Sequence, residues 1–149
     1  MSESATGSTR SRTWLRAGLL VLTLTEVGTG AWQLFFPQAF YDLRWVSLLP
    51  PFNEHLMRDV GALTLATAVV LAAATVVMER RLVVTALAAY LTFSVPHTIF
   101  HATHLAGFPA TDAAGQTVSL ALTVVVPAAI LALAWLSPPE VLRRGERLR

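Results

Sequence analysis

The chain of 149 residues has no cysteine, which excludes disulfides, thiolate metal sites and cysteine nucleophiles. It also has no lysine, so its formal charge of +2 rests on arginine alone. Charged residues of either sign are scarce, at 13%, where a soluble domain of this length carries about 25%. The shortfall is uneven, because the charges cluster between long apolar stretches. What fills the space is hydrophobic: 54% of residues, with a mean hydropathy of +0.58. A membrane helix needs roughly 20 apolar residues to cross the hydrocarbon core, and this pattern supplies several. The arginines lie beside apolar spans, so membrane topology explains the high pI better than nucleic acid does.

The apolar stretches predict an all-α, integral membrane four-helix bundle with spans at about 14–36, 56–78, 82–105 and 117–136. Residues 1–12 are polar and Ser-rich and read as a disordered tail, 13–138 as one membrane domain, and 139–149 as a basic tail. The first span is expected to be retained rather than cleaved as a signal peptide, because Glu26 interrupts it and no small-residue cleavage site follows. Between the first two spans, Phe40, Tyr41 and Trp45 suit a membrane interface. Nine of the eleven arginines flank the ends shared by both termini and the second turn. That bias places the termini in the cytoplasm and the 37–55 and 106–116 connections outside, in a multi-pass protein of the cell membrane.

Against this apolar ground, "SVPHTIFHATHL" (94–105) puts three histidines in eight residues. His97, His101 and His104 follow i, i+4, i+7 spacing and share a helix face. At ~1.5 Å per residue, His97 lies roughly 5 Å beyond the midplane and His101 roughly 11 Å. The same face runs back through Ser94, Phe93 and Tyr90, and Pro96 leaves the carbonyl of Thr92 without its helical donor. In the second span His55 and Asp59 share a face, as do Glu54 and Arg58. Glu26 sits near the midplane of the first, with Trp32 further out, and Gln116, Ser119 and Thr123 form a stripe on the fourth. Ionisable groups inside a span are costly and normally face the bundle interior or a cavity. The expectation is a polar cavity in the outer half, open to the extracytoplasmic side.

That cavity would bind a lipophilic small molecule and transform it by acid–base chemistry without a cofactor, as an isomerase, cyclase or hydratase does. Glu26, Asp59, His97 and His101 are the candidate catalytic groups, since burial drives carboxylate and imidazole pKa values in opposite directions. Trp32, His55, Arg58, Tyr90, Phe93 and Phe100 are the candidate binding residues. Two other classes stay open. His97 and His101 at i,i+4 are able to share a transition metal or serve a haem, although the Glu of an H-E-x-x-H motif is absent. Alternatively, the polar residues fix helix register in a non-catalytic accessory subunit, with Glu26 paired to Arg58. The expected partners are the lipophilic molecule and membrane lipids, with no nucleic acid, and a homo-oligomer or larger membrane complex is compatible with the sequence.

In "FFPQAFYDLRWV", "PPFNEHLMRDVGALTLA" and "VPHTIFHATH" the chain resembles a group of small bacterial four-helix membrane proteins, over about residues 17–136. The resemblance implies the fold and topology and carries no reaction. In size and topology alone the chain is also similar to sterol-isomerase-like and DoxX-like four-helix proteins, from which no residue role transfers.

Overall fold

The computed structural model describes residues 2–49 and 51–137, with backbone alone for 2–9. The described residues are all-helical, with no strand: α1 (Ser2–Phe35), α2 (Pro37–Tyr41), α3 (Arg44–Ser47), α4 (Glu54–Val77), α5 (Arg80–Thr103) and α6 (Ala110–Leu136). Local chemistry sets most boundaries. Pro37 stops α1 and opens α2 at a position where its missing N–H costs nothing. Asn53 caps α4 by accepting the Leu56 N–H at 3.0 Å. Met78, at φ 55°, ends α4 in the left-handed conformation, and extended Glu79 restarts the chain into α5.

Two boundaries differ from the sequence reading. The 106–116 stretch was expected to be loop, yet α6 starts at Ala110, directly after extended Pro109. Asp112 in its first turn favours the positive end of the helix dipole, so polarity there marks a helix start. At the other end α1 is already helical from Ser2, through the stretch read as a tail. No proline precedes residue 37, and extending a formed helix is far easier than nucleating one. The basic tail expected over 139–149, with Arg143, Arg144, Arg147 and Arg149, lies outside the described residues.

The four long helices run alternately up and down. α1 packs most extensively on α4 and α5 on α6, with lighter α4–α5 and α1–α6 contacts closing the ring. One end carries α2, α3 and the α5–α6 connection, called the loop end below; the other carries the Met78 turn. At the Met78 end, Leu15, Leu19, Leu22, Leu71, Ala74, Met78, Val83, Ala86, Leu87 and Ala134 form a closed apolar core. Arg16 straps this end by donating to the carbonyls of Thr75 and Val76 at 3.1 and 3.2 Å, the terminal acceptors that α4 leaves open. Towards the loop end, α1 and α4 meet at glycine: a Cβ on Gly61 would lie 2.6 Å from the Leu34 nitrogen and 2.8 Å from the Gly30 oxygen. Small residues of this kind let membrane helices approach backbone to backbone.

Among the described residues, three helices are long and apolar enough to cross a membrane: α4, α5 and α6. α1 is long enough but is not among them, where the sequence reading expected a fourth span. Thr23, Thr25, Glu26, Thr29 and Gln33 interrupt its apolar run. The outward faces of the three helices carry Leu63, Val69, Val76, Val118, Leu122 and Leu136 exposed, a surface suited to lipid and costly in water.

Candidate functional site

α4 and α5 touch lightly, and the gap between them is a groove of about 360 Å³ at mid-height. Leu63, Thr64, Ala66, Thr67 and Val70 of α4 and Ala89 and Phe93 of α5 line it, and Glu26 of α1 is its one ionisable lining residue. The stripe 63, 66, 67, 70 repeats at helical spacing along the flank of α4 beside buried Gly61, Thr64, Ala68 and Leu71, with Leu63 exposed and Val70 packed against the core. The groove therefore opens sideways, towards the surface that lipid would cover, with a carboxyl group at its floor. Glu26 is half-buried and continues the core-facing stripe of Leu15, Leu19 and Leu22. Tyr90, 5% exposed, lies within electrostatic range of it.

The structure separates the residues that the sequence reading grouped. Phe93 lines the groove with Glu26, and Tyr90 is buried within electrostatic range of that carboxyl. The histidines sit beyond the groove, stacked along α5. His97 lies 5.1 Å from the Phe93 ring and 4.4 Å from that of His101, centroid to centroid. His101 Nδ1 receives the Gln116 amide at 3.1 Å; His104 stacks on Phe100 at 4.0 Å and meets the Phe100 carbonyl. Asp59 and His55 pair with each other at 3.3 Å on the outer surface of α4, with side chains 57% and 87% exposed. They extend the groove-lining stripe by one and two turns, at its rim rather than opposite Glu26. Arg58 does not reach Glu26. It pairs with Glu54 at 2.8 Å and donates to the Leu34 carbonyl, tying the end of α1 to the start of α4. Trp32 packs edge-on against Phe40, centroids 5.6 Å apart.

Two sets of contacts have no counterpart in the sequence reading. The first is a clamp on the loop end. Arg44 donates two hydrogen bonds to one Asp112 oxygen at 2.9 and 2.7 Å, and Trp45 Nε1 donates to the other at 3.2 Å. The Asp112 carboxylate, chiefly through those bonds, holds the exposed Arg44 guanidinium above its ordinary pKa. Trp45 seats on Gly115, where a Cβ would come within 2.8 Å of its ring. Gln116 links this clamp to His101 by also donating to the Trp45 carbonyl at 3.4 Å. The second is a set of three buried polar atoms with no protein partner: Gln33 Oε1, Ser94 Oγ and Gln116 Oε1. Gly115, adjacent to Gln116, was the one legible hint of the clamp.

No group of three or more His, Asp or Glu side chains able to hold a metal ion occurs among the described residues. The chain matches no family model, no curated protein and no solved structure, so its chemistry is read from its own residues.

Proposed function

We propose that the protein holds a lipophilic small molecule in the α4–α5 groove and acts on it by proton transfer at Glu26, as an isomerase, cyclase or hydratase does. One observation carries this reading: an apolar groove that opens towards lipid has a single carboxyl group at its floor. A hydrophobic molecule would enter sideways from the bilayer, pack a ring system against Phe93, and present its polar group to Glu26, with Thr64 and Thr67 as neighbouring hydroxyls. Burial of the groove by the ligand excludes water and strengthens every electrostatic contact made there.

In the same reading α1 crosses the membrane beside α4, making four spans. The arginine bias then places both termini in the cytoplasm and the loop end outside. Because the chain lacks cysteine, single thiols at Ser8→Cys and Ala113→Cys test the topology cleanly. Labelling of both from one side would overturn it.

The groove itself is tested with a small photoreactive diazirine that partitions into lipid. It should mark the peptides containing Leu63–Val70 and Ala89–Phe93 above the exposed α6 face around Val118 and Leu122, and Ala66→Trp should abolish that preference. Uniform labelling of all lipid-facing helices would remove the case for a binding groove. For a substrate so identified, Glu26→Gln should slow turnover by ~10²–10⁴-fold, the usual worth of a general acid–base group.

A further inference from the structure

The three buried polar atoms without partners share a location. Gln33 Oε1 of α1, Ser94 Oγ of α5 and Gln116 Oε1 of α6 all lie in the loop-end half of the bundle. Ser94 and Gln116 are 4% and 5% exposed, so bulk solvent does not satisfy them. Buried polar groups of this kind are almost always paired, with internal water where protein offers nothing.

The interior face of α5 gives that water a direction. Val83, Ala86, Leu87, Tyr90 and Ser94 are the buried positions of this helix, and His97 and His101 continue the stripe at i+3 and i+7 from Ser94. The core-facing edge of α5 thus changes, at Tyr90, from hydrocarbon to a stripe of side chains able to accept and release protons, with no direct hydrogen bond between them. At its far end His101 Nδ1 accepts from Gln116, which leaves Nε2 as the protonated, donating nitrogen. The His97 and His101 rings are in direct contact, with centroids 4.4 Å apart. Among the described residues His97 has ring contacts with Phe93 and His101 and no hydrogen-bond partner. At the near end of the stripe, Tyr90 lies within electrostatic range of Glu26.

Resting on the reading of Glu26 as the proton-transfer group, we propose that the loop-end interior is hydrated and that Tyr90, Ser94, His97 and His101 carry protons between Glu26 and the aqueous phase at the loop end. Each imidazole takes a proton at one ring nitrogen and releases one from the other. At His101 the proton enters at Nδ1 when the Gln116 amide turns away from it, and the Nε2 proton leaves. One proton therefore moves per transfer and no co-reactant is consumed. The series stops at Glu26. Beyond it, Leu15, Leu19, Leu71, Val83 and Leu87 have 0% exposure, and the buried hydroxyls of Thr23 and Thr75 are occupied with each other and with the carbonyls of Leu19 and Leu71. Among the described residues no other charged group lines the groove: α4 presents Thr64 and Thr67 beside Glu26, and Asp112 of α6 is held by Arg44 at the loop end. Arg16 of α1 is engaged with the carbonyls of Thr75 and Val76.

The test follows Glu26 itself, on the whole protein in lipid nanodiscs. The infrared carbonyl band of its protonated form is assigned as the band missing in Glu26→Gln, and its appearance is timed after a rapid drop in pH. His97→Ala and His97→Asn should each slow that appearance at least tenfold with its amplitude unchanged. Asp42→Asn, exposed after α2 and outside both groove and stripe, should leave the rate alone. Asn keeps a hydrogen-bonding side chain of similar size, so a merely structural role for His97 predicts a wild-type rate in that variant. Hydroxyl-radical footprinting checks the water: Tyr90 and His97 should oxidise while Met78, intrinsically far more reactive, is spared. A Glu26 that shows no titrating band, an unchanged rate in both His97 variants, or oxidation of Met78 ahead of Tyr90 would each overturn the proposal. Failure of the diazirine to mark the groove would instead remove the binding reading and leave this one standing.

Discussion

At the Met78 end, the positions facing the bundle axis are Leu15, Leu19, Leu71, Met78, Val83 and Leu87, all with no exposed surface. At the loop end the interior positions are Glu26, Gln33, Ser94, His97 and Gln116. The two halves share the same four helices and differ in what holds them. Dense apolar packing dominates the Met78 end, with the buried Thr23–Thr75 hydroxyl pair and the Arg16 bonds to α4 carbonyls added to it. The loop end relies on a glycine contact, a tryptophan seated on Gly115, and hydrogen bonds that cross between elements. A chain whose outer surface is already apolar gains little by burying more leucine, since lipid solvates leucine as well as a core does. Polar interior groups in such a chain are therefore costly, and a functional role is the default reading for them.

The contrast breaks most directly at Gly61. A side chain there meets the backbone of Leu34 and Gly30 at 2.6 and 2.8 Å, and backbone does not step aside as a flexible side chain does. Gly61→Leu should force α1 from α4 at the loop end and cost about 3 kcal/mol or more. The Met78-end core, which makes no use of that contact, should keep its packing. Thermal or denaturant unfolding in detergent measures the loss, and cysteine crosslinks placed at each end report which half opened. Unchanged stability would mean that the glycine contact is incidental.

Leu71→Ala sharpens the comparison from the other side. Leu71 is fully buried in the apolar core, and its truncation leaves a cavity that flanking helices fill only in part. The expected cost is about 2 kcal/mol, at the low end of the range for soluble cores because the transfer term is weak when the alternative environment is lipid. A cost near zero would show that the Met78 end is loosely packed after all.

How much of this was legible in the sequence depends on the physical signal involved. Hydropathy marked α4, α5 and the end of α6 to within about two residues, because apolar runs are local; the Asn53 cap and the left-handed Met78 that fix the ends of α4 come from the structure. The start of α6 was hidden by its polarity, since Ala110–Gln116 has loop-like composition, and Pro109 and Asp112 as start signals went unread. Spacing put His55 with Asp59 and His97 with His101, but spacing fixes relative phase and not direction. Direction was available on α4: the small residues Gly61, Thr64, Ala68 and Ala74 mark the packed stripe, and Asp59 falls about half a turn away from it. On α1 the same test places Glu26 squarely with Leu15, Leu19 and Leu22, where the structure has it. The Trp45–Asp112–Arg44 clamp and the Gln116–His101 bond were out of reach, because they join elements 67–71 and 15 residues apart in sequence and no local pattern encodes such pairs.

The smallest expected effect separates the halves most finely. Ser94 is as buried as a core residue at the Met78 end, yet its hydroxyl has no protein partner. Removing it strands nothing, because no protein donor or acceptor depends on it, and the hydroxyl's own desolvation cost disappears with it. Ser94→Ala should therefore stay within about 0.5 kcal/mol of wild type, where truncation of an equally buried Leu71 costs several times as much. Ser94→Val extends the measurement by filling the same space with apolar atoms. If water occupies the site, the methyl groups displace it, and the unpaired Gln116 and Gln33 oxygens bear the loss. Val should then be less stable than Ala by more than its added volume explains. Equal stability of the two variants would mean that the loop-end interior is as dry as the Met78 end and that burial alone, with no water, has been tolerated at Ser94.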